Sequence, residues 1–125
     1  MKSDIAVIDD DEVYKTIIKK FIERSQAFGE AYFYTRPQDA LDNFVSKAVL
    51  PRVILLDINM PLMDGWQFLR SLQEEFPDLY TQSKVYIVTS SIAYSDKEKI
   101  NEFPGIRGFL SKPLKVATLK EIAAD

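Results

Sequence analysis

The sequence contains no cysteine and no histidine. The first absence removes disulfides, thiolate metal sites and cysteine nucleophiles, and is compatible with a reducing compartment. The second reaches further: it excludes a Ser-His-Asp triad, an imidazole metal site and a phosphohistidine made within the chain. Any histidine chemistry must come from a partner. A basic patch is lacking too. The 16 Lys and Arg are scattered and the net charge is −3, so nothing offers the electrostatic footprint that holds nucleic-acid phosphates, and no nucleic-acid partner is expected. Long hydrophobic runs are also missing. After Met1-Lys2-Ser3-Asp4 only four apolar residues precede an acidic stretch, far short of a signal-peptide core or a membrane span. A soluble, cytoplasmic protein without a membrane partner is expected.

What is present fits one domain. The 125 residues, 46% of them hydrophobic, can bury a core but leave no room for a second domain, so residues 1–125 read as a single unit. Short apolar runs recur at Ile5-Ala6-Val7-Ile8, Val53-Ile54-Leu55-Leu56 and Val85-Tyr86-Ile87-Val88, with weaker ones at Ala31-Tyr32-Phe33-Tyr34 and Gly108-Phe109-Leu110. Continuous rather than alternating runs suit strands buried on both faces, as in a parallel sheet covered by helices. Helical patterns lie between them. Val13, Ile17 and Phe21 share one face, supported by Ile18 and Ile22; Phe68, Leu69, Leu72 and Phe76 form a second stripe. Gly29 follows the first helix, Pro37 opens the second, Asp64 caps the third, and Ser95 with Glu98 has the spacing of a capping box for the fourth. Pro113 precedes a last helix carrying Val116, Leu119 and Ile122. The order is (βα) repeated five times, which predicts right-handed crossovers and a doubly wound α/β sandwich. The last helix runs almost to the end of the sequence, and no attached output domain is expected.

In an open parallel sheet, ligands bind beyond the carboxyl ends of the strands near the topological switch point. The residues following each run are polar here: Asp9-Asp10-Asp11 after the first, Asp57 after the third, Thr89-Ser90-Ser91 after the fourth, Lys112-Pro113 after the fifth. Asp11 is placed to cap the first helix and reads as structural. Asp9 and Asp10 gathered with Asp57 would repel one another unless protonated or neutralised by a cation. Oxygen-only donors favour a hard ion, and Mg²⁺ typically takes one or two carboxylates while keeping waters for a phosphate to replace. Beside such a cation, ionised Asp57 could attack phosphorus, with the Thr89 hydroxyl and the Lys112 ammonium receiving the phosphoryl oxygens. In-line transfer needs mainly positioning and charge neutralisation, so no general base is required.

These residues together resemble a known family. Ile8-Asp9-Asp10, then Asp57-Ile58-Asn59-Met60-Pro61-Leu62-Met63-Asp64-Gly65, then Val88-Thr89-Ser90, then Lys112-Pro113, are similar in order and spacing to the response-regulator receiver domain of two-component signalling, over essentially the whole chain. The resemblance implies a flavodoxin-like, five-stranded parallel sheet in the order 2-1-3-4-5. It implies a stand-alone, CheY-like phosphoacceptor rather than a turnover enzyme, with Asp57 taking phosphate from a partner's phosphohistidine. Asp10 would bind Mg²⁺ directly, Asp9 through water or by orienting the site, and Asn59 through its backbone carbonyl. Thr89 would move to the phosphoryl group, Lys112 would pair with it, and the bond before Pro113 would be cis. Phe109, three residues before Lys112, occupies the place of the family's switching aromatic, often Tyr, so the phenolic hydroxyl is missing. Ser90 stands where Ala or Gly is common and could add a hydrogen bond. Implied partners are a sensor histidine kinase or histidine phosphotransfer protein and a downstream protein, with the chain a monomer or a weak phosphorylation-dependent dimer.

Two rivals use the same residues. A Mg²⁺-dependent phosphatase of the haloacid dehalogenase type would place a second Asp where this chain has Asn59, and would need a cap for its substrate. A phosphorylation-independent adaptor would not require the acid, Thr and Lys set. Asp64-Gly65 reads as a turn and helix start, with Gly65 relaxing the backbone. Trp66, Tyr32, Tyr34 and Tyr94 read as packing or surface aromatics, although Tyr94, near the fourth helix, could belong to a partner face, and Lys97-Glu98-Lys99 reads as a solvated helix surface.

Overall fold

A strand that is apolar without alternation needs cover on both sides, and the computed structural model, which describes residues 2–91 and 93–125, provides it. Five parallel strands, β1 (Ser3–Ile8), β2 (Phe28–Tyr34), β3 (Val53–Leu56), β4 (Lys84–Thr89) and β5 (Gly108–Ser111), lie in the order β2-β1-β3-β4-β5. The connecting helices are α1 (Glu12–Ser25), α2 (Pro37–Lys47), α3 (Gly65–Glu75), α4 (Leu79–Gln82), α5 (Tyr94–Lys99) and α6 (Val116–Ala124), with a 3-10 turn at Ile100–Glu102 after α5. Alternate strand residues point to opposite cores. Ile5, Val7, Val53, Leu55, Tyr86 and Val88 meet α1 and α6, while Ala6, Ile8, Ile54, Leu56, Val85 and Ile87 meet α2 and α3. Phe68, Leu69 and Leu72 of α3 are fully buried, each contributing about 1.5–3 kcal/mol of apolar transfer free energy. Pro37 opens α2, and Asp64 caps α3 in a reciprocal box with Gln67. No helix among the described residues is long and apolar enough to cross a membrane.

Two local expectations are corrected, the buried face of α1 and the cap of α5, and two are refined. The buried face of α1 is Tyr14, Ile18 and Ile22, whereas Val13 and Ile17 are exposed, at 72% and 40%. The two stripes differ by one residue, about 100° around the helix, and contact with the sheet and α6 selects between them. α1 stops at Gln26, whose left-handed backbone (φ 52°) forms the C-cap, and Gly29 belongs to β2. α5 begins at Tyr94 with Ala93 as N-cap residue. Asp96, not Glu98, turns its carboxylate back to accept the Ala93 N–H at 3.0 Å. The one-turn α4 also interrupts the simple repeat: its Leu79 is fully buried, but four residues are too few to show periodicity. The side chain of Tyr94 lies outside the described residues.

A charged side chain is also buried where no expectation placed one. Lys84, at the start of β4, is 2% exposed and donates to the carbonyls of Ile122 (2.5 Å) and Asp125 (2.9 Å), satisfying the end of α6. Burial holds its ammonium below the usual lysine range. Lys84→Ala should cost about 2 kcal/mol in urea unfolding by stripping those carbonyls of their donor.

Candidate functional site

The sheet order reverses between β1 and β3, since β1 continues to β2 on one side and β3 to β4 on the other. Crossovers diverge there, leaving a crevice at the strand ends. The Asp57 N–H donates to the Ile8 carbonyl at 3.0 Å, which ties the end of β3 to the end of β1. Asp9 and Asp57, 2% and 6% exposed, therefore sit side by side. With half-buried Asp10, their carboxylate oxygens lie within 4.8 Å of one another. A cis Lys112-Pro113 bond follows β5, and the Lys112 N–H donates to the Thr89 carbonyl at 3.0 Å. The Lys112 ammonium lies 2.6 Å from Asp9 Oδ2, 3.6 Å from Asp57 Oδ2 and 4.4 Å from the centre of the Tyr14 ring. Its first partner is thus Asp9.

Three carboxylates here face one ammonium. Burial pushes the Asp57 carboxyl above the usual range, and the Asp9 charge adds to it; the Asn59 N–H on Asp57 Oδ1 at 3.2 Å, Lys112 and the Ile58 N–H only partly offset this. A cluster of oxygen donors with uncompensated negative charge is what a small hard cation requires. Thr89, 1% exposed, donates its hydroxyl to the Ser91 carbonyl at 2.8 Å and lies 3.4 Å from Asn59 Nδ2. The strand ends thus bring Asp9, Asp10, Asp57, Asn59, Thr89 and Lys112 together.

The family described as response regulator receiver domain matches residues 5–124. The chain belongs to it. Two-component response regulator 24 of Arabidopsis thaliana is 30% identical over 116 residues, covering 93% of this chain and 78% of that protein. A protein-glutamate methylesterase/protein-glutamine glutaminase of Hahella chejuensis is 30% identical over 95 residues, 74% of this chain but only 24% of the enzyme. Among solved structures, a two-component response regulator from Cytophaga hutchinsonii superposes with a TM-score of 0.85 at 25% identity, covering 98% of this chain and 95% of that one. One from Legionella pneumophila gives 0.81 at 29%, covering 98% of each. The expected sheet order and sandwich are those of this receiver.

Several residues near the receiver's acid cluster carry parts that a linear reading does not disclose. Gly65 has no left-handed backbone. A Cβ on it would lie 2.6 Å from the Asp57 carbonyl oxygen and 2.8 Å from Ile58 Cα. It is needed for close approach of α3 to the site, not for turn freedom. Tyr14 is buried beneath Lys112 and its hydroxyl has no hydrogen-bond partner among the described residues; burial, then the charges of Asp9 and Asp57, hold the phenol well above the usual range. Trp66 is a packing residue as expected, 1% exposed and stacked on Phe103 at 5.4 Å, but its indole N–H also donates to Asp96 Oδ1 at 3.1 Å. Phe109 is half-buried with its ring centre 6.1 Å from that of Trp66. Ser90 is exposed, as are Lys97 and Glu98.

Proposed function

We propose that this receiver acts as a response regulator in which Asp57 accepts a phosphoryl group from the phosphohistidine of a sensor kinase or histidine phosphotransfer protein. The observation that carries the reading is the pairing of Asp57 with two further acids and one lysine at the sheet's switch point. Asp9, Asp10, Asp57 and the Asn59 carbonyl would hold Mg²⁺, which when bound neutralises the acids and polarises the phosphoryl oxygens. An Asp57 carboxylate oxygen attacks phosphorus as the phosphorus–nitrogen bond to the donor imidazole breaks and its electron pair returns to the ring nitrogen. Lys112 then leaves Asp9 to pair with the new phosphoryl oxygens. Thr89 exchanges the Ser91 carbonyl for a phosphoryl oxygen, and Phe109 repacks behind it. The altered surface of α5, β5 and α6 is the output, read by a protein target or by a second copy in a weak dimer. The same site assists loss of the phosphoryl group to water without acting as a turnover enzyme.

Incubation with acetyl phosphate and Mg²⁺ should add the mass of one phosphoryl group to the intact protein, and none to Asp57→Ala. Absence of the adduct on wild type, or an equal adduct on the variant, refutes the reading. Exposed Val13 and Ile17 on α1, the helix that Asp11 caps at the site's edge, suit an apolar contact with the donor. Ile17→Lys should slow transfer from a phosphorylated donor protein about tenfold while leaving labelling by acetyl phosphate unchanged, since loss of a desolvated apolar contact is worth about 1.4 kcal/mol. Equal slowing with both donors would place the defect in the site rather than in docking.

A further inference from the structure

The carboxylate of Asp96 is 8% exposed and both of its oxygens are engaged: Oδ1 accepts the Trp66 indole N–H at 3.1 Å and Oδ2 accepts the Ala93 N–H at 3.0 Å. It therefore joins the first turn of α3 to the first turn of α5, across 30 residues of sequence. Ala93 ends the segment that begins at Thr89, and in that segment the Ser91 carbonyl holds the Thr89 hydroxyl at 2.8 Å. Trp66 itself is fixed, 1% exposed and lying against Phe103 and Phe109 at 5.4 and 6.1 Å between ring centres. A buried carboxylate that is fully bonded in one arrangement is costly to leave half-bonded in another. Displacing Ala93 therefore strains these bonds.

We propose that Trp66, acting through Asp96, is a positioning residue that clasps Ala93, at the start of α5, in the arrangement where Thr89 is bonded to Ser91, so that the clasp sets how readily the receiver accepts a phosphoryl group. The inference rests on the reading that Thr89 moves to the phosphoryl group on Asp57. The unphosphorylated state gains the Trp66–Asp96 bond, and the phosphorylated state forms only at the expense of loosening it. The link is an equilibrium between two arrangements of one segment, biased from two ends.

Trp66→Phe keeps an aromatic ring against Phe103 and Phe109 and removes the donor. Beryllofluoride with Mg²⁺, a non-covalent phosphoryl mimic, is the probe, and hydrogen exchange at Ala93–Lys99 reports the clasp. Trp66→Phe should bind beryllofluoride roughly tenfold more tightly than wild type, the factor expected for one hydrogen bond to a charged acceptor, with faster exchange in the unliganded protein. Asp96→Asn, which retains one acceptor oxygen, should shift affinity in the same direction by a smaller factor and should shift the emission of Trp66, the sole tryptophan. Phe103→Leu disturbs the packing of Trp66 but leaves its hydrogen bond, so it should lower Tm without tightening beryllofluoride. Wild-type affinity in both Trp66→Phe and Asp96→Asn, or equal tightening in Phe103→Leu, would overturn the clasp. If wild type forms no phosphoryl adduct on Asp57, the receiver reading fails and the clasp with it; a normal wild-type adduct with unshifted variants removes the clasp alone.

Discussion

Asp57→Ala should abolish phosphoryl uptake and, in metal-free solution near neutral pH, leave the protein more stable than wild type by on the order of 1 kcal/mol. The sign follows from burial. The Asp57 carboxyl is held above its ordinary value of 3.8, first by desolvation and then by Asp9, so the folded protein binds that proton more tightly than the unfolded chain does. The resulting stabilisation is complete below the ordinary value and is lost as pH rises through the raised one. Above that window wild type keeps an ionised, poorly solvated acid beside Asp9, whereas the alanine variant does not. Lys112 lies 2.6 Å from Asp9, and the substitution leaves that partner in place, so no new unpaired ammonium is expected. Urea melts at several pH values should therefore show the two proteins converging in acid and separating as pH rises, with the variant the more stable. Mg²⁺ should reverse the order: at a hundred times its dissociation constant it stabilises a folded protein by about 2.7 kcal/mol, and the variant has lost one of the three acids proposed to hold it. A wild-type protein more stable than Asp57→Ala without metal at neutral pH would contradict the charge frustration inferred for the site.

Gly65→Ala is expected to cost about 3 kcal/mol, the upper end of the range for overpacking, because its methyl group meets backbone rather than a yielding side chain. The atoms it would strike belong to Asp57 and Ile58, and the Gly65 N–H is bonded to the Ile58 carbonyl at 3.2 Å. Relief requires α3 to retreat from the segment that presents the Asp57 carboxylate. The variant should lose phosphoryl uptake from acetyl phosphate out of proportion to its loss of folded fraction, and thermal unfolding with parallel intact-mass labelling would show this. An alanine variant with wild-type Tm would mean that the loop after β3 gives way freely.

The acid cluster was readable because an unalternated apolar run followed by an acid puts that acid at a strand end, and all five strand ends lie on one edge of a parallel sheet. Asp9, Asp57, Thr89 and Lys112 could be assembled on that rule alone. The α5 cap was not: Ser95 and Glu98 have the right spacing, but Asp96 does the capping with one oxygen while the other accepts from Trp66, a residue 30 positions away. Gly65 shows the same limit. A glycine beside an aspartate signals a turn, and nothing local records the Asp57 carbonyl 2.6 Å from where its Cβ would be.

By itself, the sequence determined the strands, their parallel pairing, the acids and hydroxyl at their ends, and the absence of any histidine of its own. Each of these follows from residue type and near-neighbour order. Only the tertiary structure decided that Tyr14 rather than Val13 faces inward, that Lys112 rests first on Asp9, that Lys84 closes α6 and that Trp66 reaches Asp96. Those pairs join residues distant in sequence through particular distances and rotamers, and the free energy that selects them exists only when the helices are seated on the sheet.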